Sequence, residues 1–111
     1  MERADEFFKA VPVDTMIDGE GRVVQAGLKK IALFRLGDEY HAIQNFCPHA
    51  GGFLGLGEVA KGCVRCPRHA WRFDIRSGRC VTNARYDVRR YETKVEDGWV
   101  WVGVPVDGSL L

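Results

Sequence analysis

An all-β fold, an antiparallel sandwich or small barrel in one domain, is what these 111 residues predict, and three observations carry that expectation. Alternating, β-branched and aromatic stretches recur along the chain, glycine-bearing turns separate them, and no segment has a convincing helical period. With 46 % hydrophobic and 28 % charged residues the chain has the composition of one ordinary globular domain, 1–111, with no room for a second sizeable core. The strand signals are, in order, FFKAV (7–11), GRVVQ (21–25), KKIALFRL (29–36), YHAIQN (40–45), CVRC (63–66), AWRFDI (70–75), RRYETKVE (89–96) and WVWVGV (99–104). The turns DGEG (18–21), LGDE (36–39), RSGR (76–79) and EDGW (96–99) each contain a glycine suited to positive φ. Asp97-Gly98 between YETKV and WVWVGV is the clearest hairpin, and the final DGSLL is expected to fray.

Charge and termini exclude several classes. A net charge of +1 rules out a globally polybasic nucleic-acid binder. The N-terminal MERADEFFKA has acids where a signal peptide has a basic stretch, no apolar run reaches the length of a membrane span, and no lipidation signal is visible. A cytoplasmic protein without membrane or nucleic-acid partners is expected. In that reducing compartment the four cysteines read as metal ligands or core thiols before they read as a disulfide framework.

One region breaks the strand-and-turn rhythm. Residues 46–69 are dense in Gly, Pro, Cys and His, and they contain two related pairs: Cys47 and His49 with one residue between them, Cys66 and His69 with two, and sixteen residues from one pair to the next. Each loop thus offers one soft thiolate and one imidazole. A bimetallic centre with sulfur on one metal and nitrogen on the other needs each loop to reach both metals, and mixed pairs on neighbouring loops do that. The same four side chains could also bind a single structural zinc in a binding module without redox activity, although typical zinc modules pair cysteine with cysteine and histidine with histidine. His41 lies in a strand signal and reads as a surface or satisfied polar residue. Cys63 and Cys80 lack a paired loop and read as small buried hydrophobes outside the site.

Cys47-Pro48-His49 and Cys66-Pro67-Arg68-His69 resemble the C-x-H and C-P-x-H motifs of Rieske iron–sulfur proteins. The likeness extends over FCPHAGGFLGLGEVAKGCVRCPRHAWRFDIRSGRC and over the closing VRRYETKVEDGWVWV, most of the chain. It implies an antiparallel β-sandwich base with a small cluster-binding subdomain at about 45–84. It also implies one [2Fe–2S] cluster, with Cys47 and Cys66 on one iron and His49 and His69 on the other. Two histidines in place of two cysteines raise the potential above that of an all-cysteine cluster.

Departures from the family's respiratory branch narrow the expectation. That branch adds a disulfide between the loops, where this chain has Gly52 and Arg68, and it has hydroxyl donors to sulfur where this chain has Trp71 and Phe73. Fewer donors imply a potential near the low end of the Rieske range, roughly −150 mV rather than +300 mV. HAWRFD is similar to the segment found in aromatic-ring oxygenases and in small subunits of sirohaem nitrite reductases. His41 alone cannot build the mononuclear iron site of the oxygenases, so the chain is not expected to catalyse on its own. Trp71 either fills the junction between the cluster-binding subdomain and the base or shields the cluster, and TNARYDV stands where the family often has a proline-containing closing loop.

The resemblance therefore implies a one-electron carrier between a flavin-containing reductase and a terminal oxygenase or another redox enzyme, with His49 and His69 on the exit side. The alternative role is that of a small subunit bound to the large subunit of a sirohaem nitrite reductase. Residues 61–90 hold nine Lys and Arg against Asp74 and Asp87, a local net charge of +7, which either decorates solvent-facing strands or steers an acidic redox partner.

Overall fold

The computed structural model describes residues 5–49 and 51–105; the DGSLL segment lies outside them. Among the described residues the strands are β1 (Asp5–Pro12), β2 (Gly21–Ala26), β3 (Lys29–Leu36), β4 (Glu39–Gln44), β5 (Glu58–Ala60), β6 (Cys63–Arg65), β7 (Arg72–Asp74), β8 (Arg90–Glu96) and β9 (Trp99–Pro105). They form a six-stranded antiparallel sheet in the order β1-β9-β8-β4-β3-β2 and a three-stranded antiparallel sheet in the order β5-β6-β7. Helical structure among the described residues is limited to single 3₁₀ turns at Val13–Thr15, Leu54–Leu56 and Ala84–Tyr86.

Turn chemistry explains the tight connections. Asp97 and Gly98 have φ of 55° and 78°, the left-handed pair that matches the twist of a two-residue hairpin, as the EDGW signal predicts. Lys61 and Gly62 repeat the device at 54° and 77° and join β5 to β6. That hairpin is not legible in the sequence pattern, because β5 is only three residues long and a lysine is a poor advertisement for positive φ.

Strand β3 is the spine of the molecule. Ile31 and Leu33 face a core shared with Val24, Val100 and Val102, while Ala32 and Phe34 face a second core with Ile43, Leu54, Val64, Phe73 and Ile75. The period-2 geometry of a strand permits this only where both faces are covered. The first core lies within the six-stranded sheet, and the second joins it to the three-stranded sheet. Residues 45–89 leave from β4 and return at β8, which are neighbours: Ala42 pairs with Tyr91 and Ile43 with Arg90, and the Gln44 N–H donates to the Arg89 carbonyl at 2.8 Å. The small sheet is therefore inserted as one excursion, its two ends pinned side by side on the base.

Candidate metal centre

The two Cys/His loops share one backbone plan. In the first, the Cys47 N–H donates to the Gly52 carbonyl at 2.9 Å and the Gly51 N–H to the Cys47 carbonyl at 2.8 Å. In the second, the Cys66 N–H donates to the Trp71 carbonyl at 2.7 Å and the Ala70 N–H to the Cys66 carbonyl at 2.9 Å. Both are six-residue loops closed at the cysteine, with positive φ at the fifth position: 73° at Gly51 and 63° at Ala70. In this common frame the histidines sit one step apart, His49 third and His69 fourth, and their rings meet edge to face with centroids 5.0 Å apart at 84°.

Burial sorts the donors by chemistry. Cys47 and Cys66 are 2 % and 1 % exposed, sunk in the second core, whereas His49 and His69 are exposed. The loops are packed tightly together: a Cβ on Gly52 would lie 2.8 Å from Cys66 Sγ and 3.1 Å from Arg68 Cγ. Asn45, fully buried just before the first loop, accepts from the Gly55 N–H through Oδ1 at 3.0 Å and from the Leu54 N–H through its own carbonyl at 2.7 Å, bracing the segment that follows the loop. Its Nδ2 has no partner among the described residues. Two thiols inside and two imidazoles outside, on matched loops, fit a group with a sulfur-ligated inner metal and a nitrogen-ligated outer one. Among the described residues no three His, Cys, Asp or Glu side chains are grouped to share a single ion.

Aromatic residues cover one side. Trp71 packs against the second core and also stacks on His49, centroids 3.9 Å apart and planes within 10°. Tyr86 stands edge-on to Trp71 at 5.2 Å and lies 6.4 Å from His49. Tyr86 was not among the sequence-predicted residues. Its signal, an aromatic within TNARYDV, is weak, because the turn that delivers it depends on Asn83 accepting from the Arg85 N–H at 3.0 Å.

The remaining candidates stand apart. Cys80 is 4 % exposed, and its sulfur accepts from the Asn83 N–H at 3.3 Å, so it acts as a core thiol that also helps hold the Tyr86 turn. Cys63 is half-buried on β6 rather than a core residue, because β6 alternates and only Val64 points inward. His41 on β4 lies 2.9 Å from a carboxylate oxygen of Glu39, the satisfied polar residue that its strand position suggests. The same Glu39 oxygen accepts from Arg76 Nε at 3.2 Å, tying the base to the inserted unit. Hydrogen bonds from His41 and then Arg76 hold the Glu39 carboxyl below its ordinary value. No helix among the described residues is long and apolar enough to cross a membrane.

Known proteins resemble this chain in sequence and in fold. The chain is 39 % identical over 94 residues to the ferredoxin subunit of anthranilate 1,2-dioxygenase from Burkholderia cepacia, covering 83 % of this chain and 86 % of that protein. It is 27 % identical to the NAD(P)H nitrite reductase of Emericella nidulans over 86 % of this chain but only 10 % of the relative. Among solved structures, the ferredoxin of carbazole 1,9a-dioxygenase from Nocardioides aromaticivorans IC177 superposes with a TM-score of 0.82 at 26 % identity, over 86 % of this chain and 95 % of that one. A structural-zinc module is set aside by these matches. Residues 6–92 match the model of the Rieske [2Fe-2S] domain, and the chain belongs to that family, an electron carrier with a single Rieske-type [2Fe–2S] cluster.

Proposed function

We propose that the protein is the ferredoxin component of a multicomponent oxidoreductase, not catalytic alone, that takes one electron from a flavin-containing reductase and delivers it to a terminal oxygenase. The segment 45–84 is the unit that holds the cluster, with Cys47 and Cys66 on one iron and His49 and His69 on the other. The observation that carries this reading is the sorting of donors, buried thiols beneath exposed imidazoles on two loops of equal plan. When bound, the cluster supplies a reversible one-electron couple at a potential raised by its nitrogen ligands. The chain does the rest: the second core keeps water from the thiols, the Trp71 stack holds the His49 ring, and the exposed imidazole edges face a partner. The ferredoxin subunit of the B. cepacia dioxygenase supports an oxygenase as acceptor.

Low-temperature electron paramagnetic resonance of the dithionite-reduced protein tests this. A rhombic Rieske signal is expected, with about two irons and two sulfides per chain. Cys47→Ser and Cys66→Ser should abolish it, and Cys63→Ser and Cys80→Ser should leave it unchanged. Loss of the signal in Cys63→Ser or Cys80→Ser with retention in Cys66→Ser would overturn the ligand assignment. The similarity to the E. nidulans nitrite reductase supports a second reading, a subunit held by a large sirohaem partner, and co-purification with a sirohaem protein from the native host is its test.

A further inference from the structure

The two imidazoles of the site differ in their surroundings. His49 is capped by the Trp71 indole at 3.9 Å, with Tyr86 edge-on behind it. Among the described aromatic rings His69 meets only the edge of His49, and it lines an open groove of about 500 Å³ together with Leu56, Glu58, Arg65 and Arg68. The groove continues over the outer face of the three-stranded sheet into a hollow of about 240 Å³: Glu58 and Arg65 line both, and Lys61 and Arg72 line the far part.

Charge along this path is lopsided. Arg65 pairs with Glu58 at 3.1 Å, and Glu58 is the one carboxylate lining either hollow among the described residues. Lys61, Arg68 and Arg72 have no ion-pair partner among the described residues, unlike Arg76 and Arg90, which are paired with Glu39 and Glu92. Arg72 also stands directly opposite Arg65 in the β6–β7 ladder, a like-charge pairing that an external anion would relieve. Beside them Leu56 is 69 % exposed, an apolar contact within a cationic rim. A dry apolar centre ringed by one sign of charge is how docking surfaces combine contact with steering.

We propose that this groove is the docking surface of the protein, that its occupant is an acidic face of a redox partner protein, and that the electron leaves at His69 rather than at the capped His49. Partner carboxylates meet Arg68 and Arg72 while an apolar side chain covers Leu56. The proposal rests on the electron-carrier reading above and adds to it which side of the site a partner uses and what charge that partner presents.

The test uses the holoprotein, reduced with dithionite and freed of excess reductant, mixed in a stopped-flow instrument with ferricyanide as a small trianionic oxidant. One electron passes from the reduced protein to ferricyanide, which becomes ferrocyanide. The second-order rate constant should fall with ionic strength, and at low salt Arg72→Glu and Arg68→Gln should each lower it by about fivefold, the loss closing at high salt. Lys29→Glu, at the β2–β3 hairpin and in a different groove, makes the same charge change as Arg72→Glu and should keep the wild-type rate. With the cationic oxidant tris(phenanthroline)cobalt(III), Arg72→Glu should not slow the reaction. Equal ferricyanide rates in all variants, or an equal loss in Lys29→Glu, would overturn the docking surface. The paramagnetic signal of each sample keeps the two readings apart: its absence from the wild type would sink the electron-carrier reading, whereas its presence with unchanged rates sinks only this one.

Discussion

Gly51 and Gly52 are adjacent in the first Cys/His loop but meet different constraints, and alanine at each position separates them. Gly51 has φ of +73° and its Cβ position has nothing within 4 Å among the described residues. Alanine there meets no atom but adopts a left-handed backbone, at a cost of about 1–2 kcal/mol. About 0.4–1 kcal/mol of that returns because the unfolded chain loses freedom. The net loss of stability is roughly 1 kcal/mol, with the loop geometry kept. Gly52 is outside the left-handed region, so an alanine is conformationally ordinary, yet its Cβ would stand 2.8 Å from Cys66 Sγ and 3.1 Å from Arg68 Cγ. Relaxed non-bonded contacts lie at about 3.5–4.0 Å, so the two loops must part by roughly 1 Å. Overpacking of this kind costs about 1–3 kcal/mol, and here the strain falls on the Cys66 sulfur, a proposed ligand, and on the 2.9 Å bond from the Cys47 N–H to the Gly52 carbonyl. Iron and sulfide content and the urea midpoint of each holoprotein are the measurements. Gly51→Ala should load a full cluster with a lowered midpoint, and Gly52→Ala should purify with less than half the iron. Full loading in Gly52→Ala, or cluster loss confined to Gly51→Ala, would refute the assignment of the two roles.

Two further outcomes follow from the same geometry. Ala70 takes the position in the second loop that Gly51 takes in the first, at φ of +63°, so Ala70→Gly releases about 1–2 kcal/mol of backbone strain against about 0.4–1 kcal/mol of added chain entropy. Its denaturation midpoint should rise, and a fall would show that the methyl group packs. Glu39 has its carboxyl lowered by His41 and Arg76. A carboxyl lowered in the folded state stabilises fully above its ordinary value of 4.5 and loses that contribution as pH falls through the lower folded value. The stability advantage of wild type over Glu39→Gln should therefore shrink as pH falls below 4.5, followed by urea unfolding across an acid series; a difference unchanged over that series would exclude the Glu39 pairing as its source.

What was legible in the sequence was local. KKIALFRL read as a strand because period 2 and β-branched residues declare it, and EDGW declared its hairpin because Asp-Gly suits positive φ at both positions. Cys47 and His49, Cys66 and His69 stood out because each pair spans only one or two residues, a spacing that backbone geometry converts directly into shared reach. The three-residue strand β5 was missed because its partners, Val64 for Val59 and Arg65 for Glu58, are supplied by the ladder and not by its own pattern.

The sequence by itself determined the strand-rich class, the two Cys/His pairs that are candidate ligands, and the family. Only the tertiary structure decided that the two loops are copies of one plan packed at Gly52, that thiols go inward and imidazoles outward, and that Tyr86 completes a cap over His49 while His69 stays beside an open groove. It also decided which arginines are spent: register sets Arg65 opposite both Glu58 and Arg72, so one cation is neutralised and its neighbour is left over. The physical reason is range. Turn preference and ligand spacing act over a few bonds, whereas burial, stacking and charge pairing here join segments that only the β4-to-β8 excursion brings together.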